Sequence, residues 1–165
     1  MKTKNKTAGG KSKAGSSGAR GALDIQSILV PTDFSAPANK ALHQAVAMAK
    51  QYNAKIILLN VVVPIGATPD FAYNPMVLEN DKVMAATEEQ LKRLVKKQGL
   101  DGIVERTLVR YGSPYNEISA AAKSLKSDLI VIATHGYTGL KHVFLGSTTE
   151  RVVRHAPCPV LVIRA

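Results

Sequence analysis

Apolar residues in this chain alternate between short continuous runs and longer stretches with helical spacing. Ile25 to Val30 is an apolar run stopped by Pro31, and it predicts a first strand. Pro37 to Tyr52 follows, with Ala41, Leu42, Ala45, Val46 and Ala49 on one helical face and Ser35 placed as its N-cap. Lys55 to Val63 is apolar on both faces, as a central parallel strand requires. Residues 64–78 hold Pro64, Gly66, Pro69 and Pro75 and predict an irregular connection. Glu79 to Gln98 reads as a charged amphipathic helix closed by Gly99. Val104 to Val109 alternates as a third strand, and Tyr111 to Pro114 turns the chain into a helix reaching Lys126. Asp128 to Ala133 predicts a fourth buried strand, Thr134 to Gly146 a loop, Ser147 to His155 a short helix, and Pro159 to Arg164 a last strand.

Strands that alternate with helices imply a parallel sheet covered on both faces. The expected fold class is therefore α/β: a Rossmann-like, doubly wound five-stranded parallel sheet in the order 3-2-1-4-5. In that order a crevice opens beyond the carboxyl ends of strands one and four, so 31–35 and 133–148 are expected to face each other.

Composition adds limits. The chain has 165 residues, no Trp and 45% hydrophobic residues, so Ala, Val, Ile and Leu must fill the core. One cysteine, Cys158, excludes an internal disulfide and reads as a small hydrophobe within Pro157-Cys-Pro-Val-Leu-Val-Ile163. No stretch reaches the roughly 20 apolar residues of a membrane span, and the basic start lacks the apolar centre of a secretory signal, so the expected compartment is the cytoplasm. The net charge of +10 is uneven: residues 1–22 carry Lys2, Lys4, Lys6, Lys11, Lys13 and Arg20 with no acid, or +6. Their low apolar content predicts a disordered basic tail ahead of one folded domain at 23–165. That tail is the only feature to suggest nucleic acid or a lipid surface, and a solubilising extension is the preferred reading.

Two loops carry candidate chemistry. Gly146-Ser147-Thr148-Thr149 opens a helix, where free N–H groups and a partial positive charge favour an anion and the hydroxyls add donors. Pro31-Thr32-Asp33 follows a strand at the switch point, and Asp33 can accept from ribose hydroxyls or order nearby N–H groups; a plain turn former is the alternative. His135, Lys141 and His142 lie in the second loop, the histidines favoured as surface or turn residues, while Arg154 and His155 suit a helix C-terminus. No P-loop or dinucleotide fingerprint is present, and no cluster has metal-ligand spacing, so a metal would be held through phosphate.

Val30-Pro-Thr-Asp-Phe-Ser35, together with the stretch from Asp128 to Arg164, resembles the universal stress protein family, over about residues 24–164. In the ATP-binding branch of that family, Gly-x-x-Gly is followed by nine residues and Gly-Ser/Thr. Here Gly136, the nine residues from Tyr137 to Leu145, and Gly146-Ser147 match, while Ala133 replaces the first glycine and disfavours a positive φ there. The resemblance implies that Pro31, Thr32 and Asp33 line adenosine and that Val61 contacts adenine through its backbone. It places Ala133 and Gly136 beside ribose and phosphates, and has Gly146, Ser147 and Thr148 hold phosphates with Mg2+ or Mn2+. It also implies a homodimer through the last strand. The expected function is ATP-dependent stress response without fast catalysis. The alternatives are slow hydrolysis or autophosphorylation on Ser147 or Thr148, and a nucleotide-free dimeric scaffold.

Overall fold

A computed structural model describes residues 24–64, 76–135 and 146–164. The expected tail at 1–22, most of the proline-rich connection, and Gly136, Lys141 and His142 lie outside the described residues. The elements are β1 (Ser27–Pro31), α1 (Ala36–Tyr52), β2 (Lys55–Val62), α2 (Met76–Lys97), β3 (Val104–Tyr111), α3 (Pro114–Ser124), β4 (Leu129–Ala133), α4 (Ser147–His155) and β5 (Val160–Ile163). All strand pairs are parallel, in the order β3-β2-β1-β4-β5, the doubly wound arrangement expected from the alternation.

Local chemistry sets the helix ends. The Ser35 side chain accepts the Ala38 N–H at 3.2 Å, and Pro37 fits the first turn of α1, where its missing N–H costs nothing. Asn53 ends α1 in the left-handed region at φ 55° and donates its N–H to Ala49. β3 runs two residues beyond the sequence expectation, to Tyr111, because its pairing with β2 continues to Val62. α3 stops at Ser124 rather than Lys126, which turns to φ 52°.

Alternation along the strands divides the core between the two faces of the sheet. Ile28, Val30, Ile56 and Leu58 pack with Leu42, Ala45, Leu91 and Val95 on the α1/α2 side. Leu29, Ile57, Leu59, Ile130 and Ile132 pack with Ile118, Ala121 and Val152 on the α3/α4 side. Each large side chain fully buried here stabilises the fold by about 1.5–3 kcal/mol. Cys158 packs half-buried against the second cluster. Burial, with the Asp128 carboxylate adding to it, pushes its thiol pKa up, so the thiolate is disfavoured.

Pro31 is where the sheet parts. The Thr32 N–H donates to the Leu59 carbonyl at 2.8 Å, so Thr32 faces β2 and Pro31, by alternation, faces β4. Proline has no N–H to offer the next rung. Pairing of β1 with β4 accordingly ends at Leu29↔Ile130, whereas pairing with β2 continues to Pro31↔Leu59. The Asp128 carboxylate holds the other end of the pair closed, accepting the Gln26 and Ser27 N–H groups at 3.0 and 2.9 Å.

Candidate functional site

A cavity of about 340 Å³ occupies the gap left where β1 and β4 separate. Pro31, Thr32 and Asp33 enter it from the first loop, Val61 from β2 and Val63 from just beyond it, and Pro114 and Ile118 from α3. Ala133, Thr134 and His135 approach from the end of β4, and Gly146, Ser147 and Thr148 from the start of α4. Of the nine residues that the family resemblance assigned to the nucleotide, eight line one cavity: Pro31, Thr32, Asp33, Val61, Ala133, Gly146, Ser147 and Thr148. The ninth, Gly136, lies outside the described residues.

The first loop is held by its own hydrogen bonds. Phe34 donates its N–H to the Thr32 hydroxyl at 3.1 Å, and Ser35 donates to the Asp33 carboxylate at 3.1 Å. Asp33 thus forms the Asx turn that its type favours, with its side chain still exposed at the cavity. Phe34 is left at φ 64°, a left-handed conformation disfavoured for a bulky residue, while its ring packs on the α1/α2 core. Buried Asn60 donates its side-chain amide to the Thr32 carbonyl at 2.7 Å. Sequence reasoning gave Asn60 no role. Its signal was a single amide inside the apolar run from Ile56 to Val63.

The second wall is built on α4. Gly146 is the N-cap, and no side-chain hydrogen bond caps the helix among the described residues. Ser147 is the first helical residue and is exposed. The first turn of α4 lines the cavity, where a helix N-terminus offers N–H groups without intrahelical partners and the positive end of the dipole. Gly146 is tightly placed: its N–H donates to the Thr134 carbonyl at 2.9 Å, and an added Cβ would stand 3.0 Å from that oxygen. Thr149, read from sequence as a phosphate donor, spends its hydroxyl proton otherwise. It is buried and donates to the Ala133 carbonyl at 2.8 Å, satisfying an acceptor freed by the parting of the strands. His135 is half-buried, with Nδ1 3.1 Å from the Thr134 hydroxyl.

Ala133 ends β4 in ordinary strand geometry and is not among the positive-φ residues. A methyl group there meets no conformational penalty, so the departure from glycine adds no strain. Among the described residues no three His, Cys, Asp or Glu side chains gather as a metal site, and no helix is long and apolar enough to cross a membrane. The site can thus offer an apolar wall, main-chain donors and hydroxyls. That set suits a flat apolar ring joined to an anion.

Comparison with known proteins agrees with the architecture. The model for the universal stress protein family matches residues 24–164. A universal stress protein of Methanocaldococcus jannaschii is 36% identical over 139 residues, covering 83% of this chain and 81% of that protein. The solved structure of universal stress protein UspA from Lactobacillus plantarum is 34% identical and superposes with a TM-score of 0.71, over 85% of this chain and 98% of the other. A universal stress protein family member from Arabidopsis thaliana, solved with AMP bound, shares the fold at 24% identity and a TM-score of 0.55, over 84% of this chain and 91% of the other. With the family model spanning residues 24–164 of the chain and the five-stranded parallel sheet in the order expected, this chain belongs to the universal stress protein family.

Proposed function

We propose that the crevice between β1 and β4 binds ATP, and that the protein acts as a nucleotide-dependent stress-response module rather than as a fast enzyme. The observation that carries this reading is the convergence of Pro31–Asp33 with Gly146–Thr148 on one cavity. Val61, Val63, Pro114 and Ile118 give the apolar surface that a base requires. The uncapped start of α4 gives the donors that phosphates require. Asp33 is exposed at the same cavity and within reach of a ribose in its role as acceptor. Spacing of the second loop, Gly136 then Gly146-Ser147, follows the ATP-binding pattern of the family. A divalent cation fits this donor set when held by phosphate oxygens with the hydroxyls of Ser147 and Thr148, because the described residues supply no carboxylate cage. Among the described residues neither a paired nucleophile and base nor a second carboxylate lines the cavity beside Asp33, which supports occupancy over turnover. Isothermal titration with magnesium and ATP is expected to show one site per chain and no phosphate release above background. No heat at millimolar ATP would reject the proposal.

A homodimer through β5 accompanies this reading. Among the described residues β5 pairs only with β4, and Leu161 is exposed on it, so a second copy of the strand can complete the sheet edge. Light scattering is expected to give twice the chain mass at micromolar concentration, and a monomer mass would refute the pairing.

A further inference from the structure

We infer that Asn60 is a positioning residue: its side chain ends the β1–β2 ladder one rung early and so turns the Val61 backbone toward the cavity. The consequence for ligand choice rests on the nucleotide reading above, but the geometry itself does not.

The parity of β2 is fixed by its hydrogen bonds. Lys55 donates its N–H to Gln26, and Leu59 accepts from Thr32, both at 2.8 Å. Odd-numbered residues of β2 therefore turn their main-chain groups toward β1. Ile56 donates to Ile103 and Val62 accepts from Gly112, both at 2.9 Å, so even-numbered residues face β3. In a parallel ladder, the rung after Thr32 to Leu59 runs from the Val61 N–H to the Thr32 carbonyl. That carbonyl instead takes the Asn60 side-chain amide at 2.7 Å, and among the described residues it takes no bond from Val61.

Asn60 is 8% exposed, so the bond is sheltered from water and holds the first loop against β2. An apolar residue at this position would leave the Thr32 carbonyl for Val61 to fill. The ladder would then close and the cavity would lose a polar edge. Val61 lines the cavity, and on this inference its main-chain N–H and C=O are offered there in fixed order. That arrangement can tell an adenine edge from a hypoxanthine edge, whose donor and acceptor positions are exchanged.

Two measurements test this. In the ligand-free wild type, the Val61 amide is expected to exchange with solvent faster than the laddered Leu59 amide. In Asn60→Ala the two are expected to become comparably protected. Separately, the preference for adenosine over inosine is expected to fall about five- to tenfold in Asn60→Ala, the scale of one hydrogen bond. General loosening of the fold would weaken both nucleosides together and leave their ratio alone. Equal protection of Val61 and Leu59 in the wild type would overturn the inference without any variant being made. If the wild type binds neither nucleoside, the nucleotide proposal fails while the exchange pattern still decides the role of Asn60. If the wild type discriminates and Asn60→Ala keeps both the ratio and the exchange pattern, the nucleotide proposal stands and the positioning role falls.

Discussion

Two helices begin at the same cavity and are finished differently. α1 is closed by Ser35, whose hydroxyl takes the Ala38 N–H, after a loop in which the side chains of Thr32, Asp33 and Asn60 already engage the main chain. α4 starts at Gly146 with no side-chain cap among the described residues, and its first hydroxyl, on Ser147, is exposed. A capped N-terminus has spent a donor and part of its attraction for an anion; an uncapped one keeps both. The contrast assigns the two ends of a ligand. On the nucleotide proposal, the β1 wall, held by its own hydrogen bonds, would take base and sugar, and the α4 wall would take the negative charge.

Gly146→Val is the strongest way to break this contrast. The glycine φ of −59° is ordinary, so the constraint is space: a Cβ would press on the Thr134 carbonyl that receives the Gly146 N–H. Backbone cannot swing aside as a long side chain can, and the start of α4 would shift. Affinity for ATP is expected to fall about ten- to a hundredfold, the scale of overpacking a tight site. Adenosine, which has no phosphate, is expected to bind within about twofold of wild type. Equal losses for both ligands in titration calorimetry would show that the two walls do not divide the work.

Thr149→Val is a smaller step on the same wall. The shapes are similar, but the Ala133 carbonyl loses its buried donor. Leaving an acceptor orphaned costs about 1–3 kcal/mol, which urea denaturation would read directly. ATP affinity should drop with it and adenosine affinity should hold. An unchanged urea midpoint would mean that water replaces the hydroxyl, and that the carbonyl is less sealed than its surroundings indicate.

How much of this could be read from the chain follows from which signals are local. The apolar run from Ile56 to Leu59 and the helical spacing from Ala41 to Ala49 place elements because periodicity reports burial directly. Pro31 and Gly146 are legible for the same reason, since backbone restrictions travel with the residue. Asn60 and Thr149 were not. Each satisfies a carbonyl on a neighbouring element, 28 and 16 residues away in sequence, and the need for such a partner appears only once the strands have parted. Thr149 lines the cavity together with Ser147 and Thr148, so type and position alone could not separate its role from theirs. Strand and helix ends moved by a few residues where pairing or a left-handed turn decided them, as at Tyr111 and Lys126.

Ala133→Gly gives the smallest effect and the sharpest reading of the α4 side. The ATP-binding pattern has glycine at this place, so the substitution restores the pattern. If that glycine were needed for a positive φ, restoring it would tighten ATP binding. Ala133, however, completes β4 with its methyl group buried, its φ is not positive, and its carbonyl is already engaged by Thr149. Glycine should therefore gain nothing in the folded site. It should lower stability by about 0.4–1 kcal/mol, through the greater freedom it gives the unfolded chain. ATP affinity is expected to stay within about twofold of wild type, a shift of under half a kcal/mol. A tenfold gain in affinity would mean that the loop after β4 adopts, in the bound state, a backbone conformation that alanine resists. The departure from glycine would then be a device that weakens the site rather than a neutral exchange.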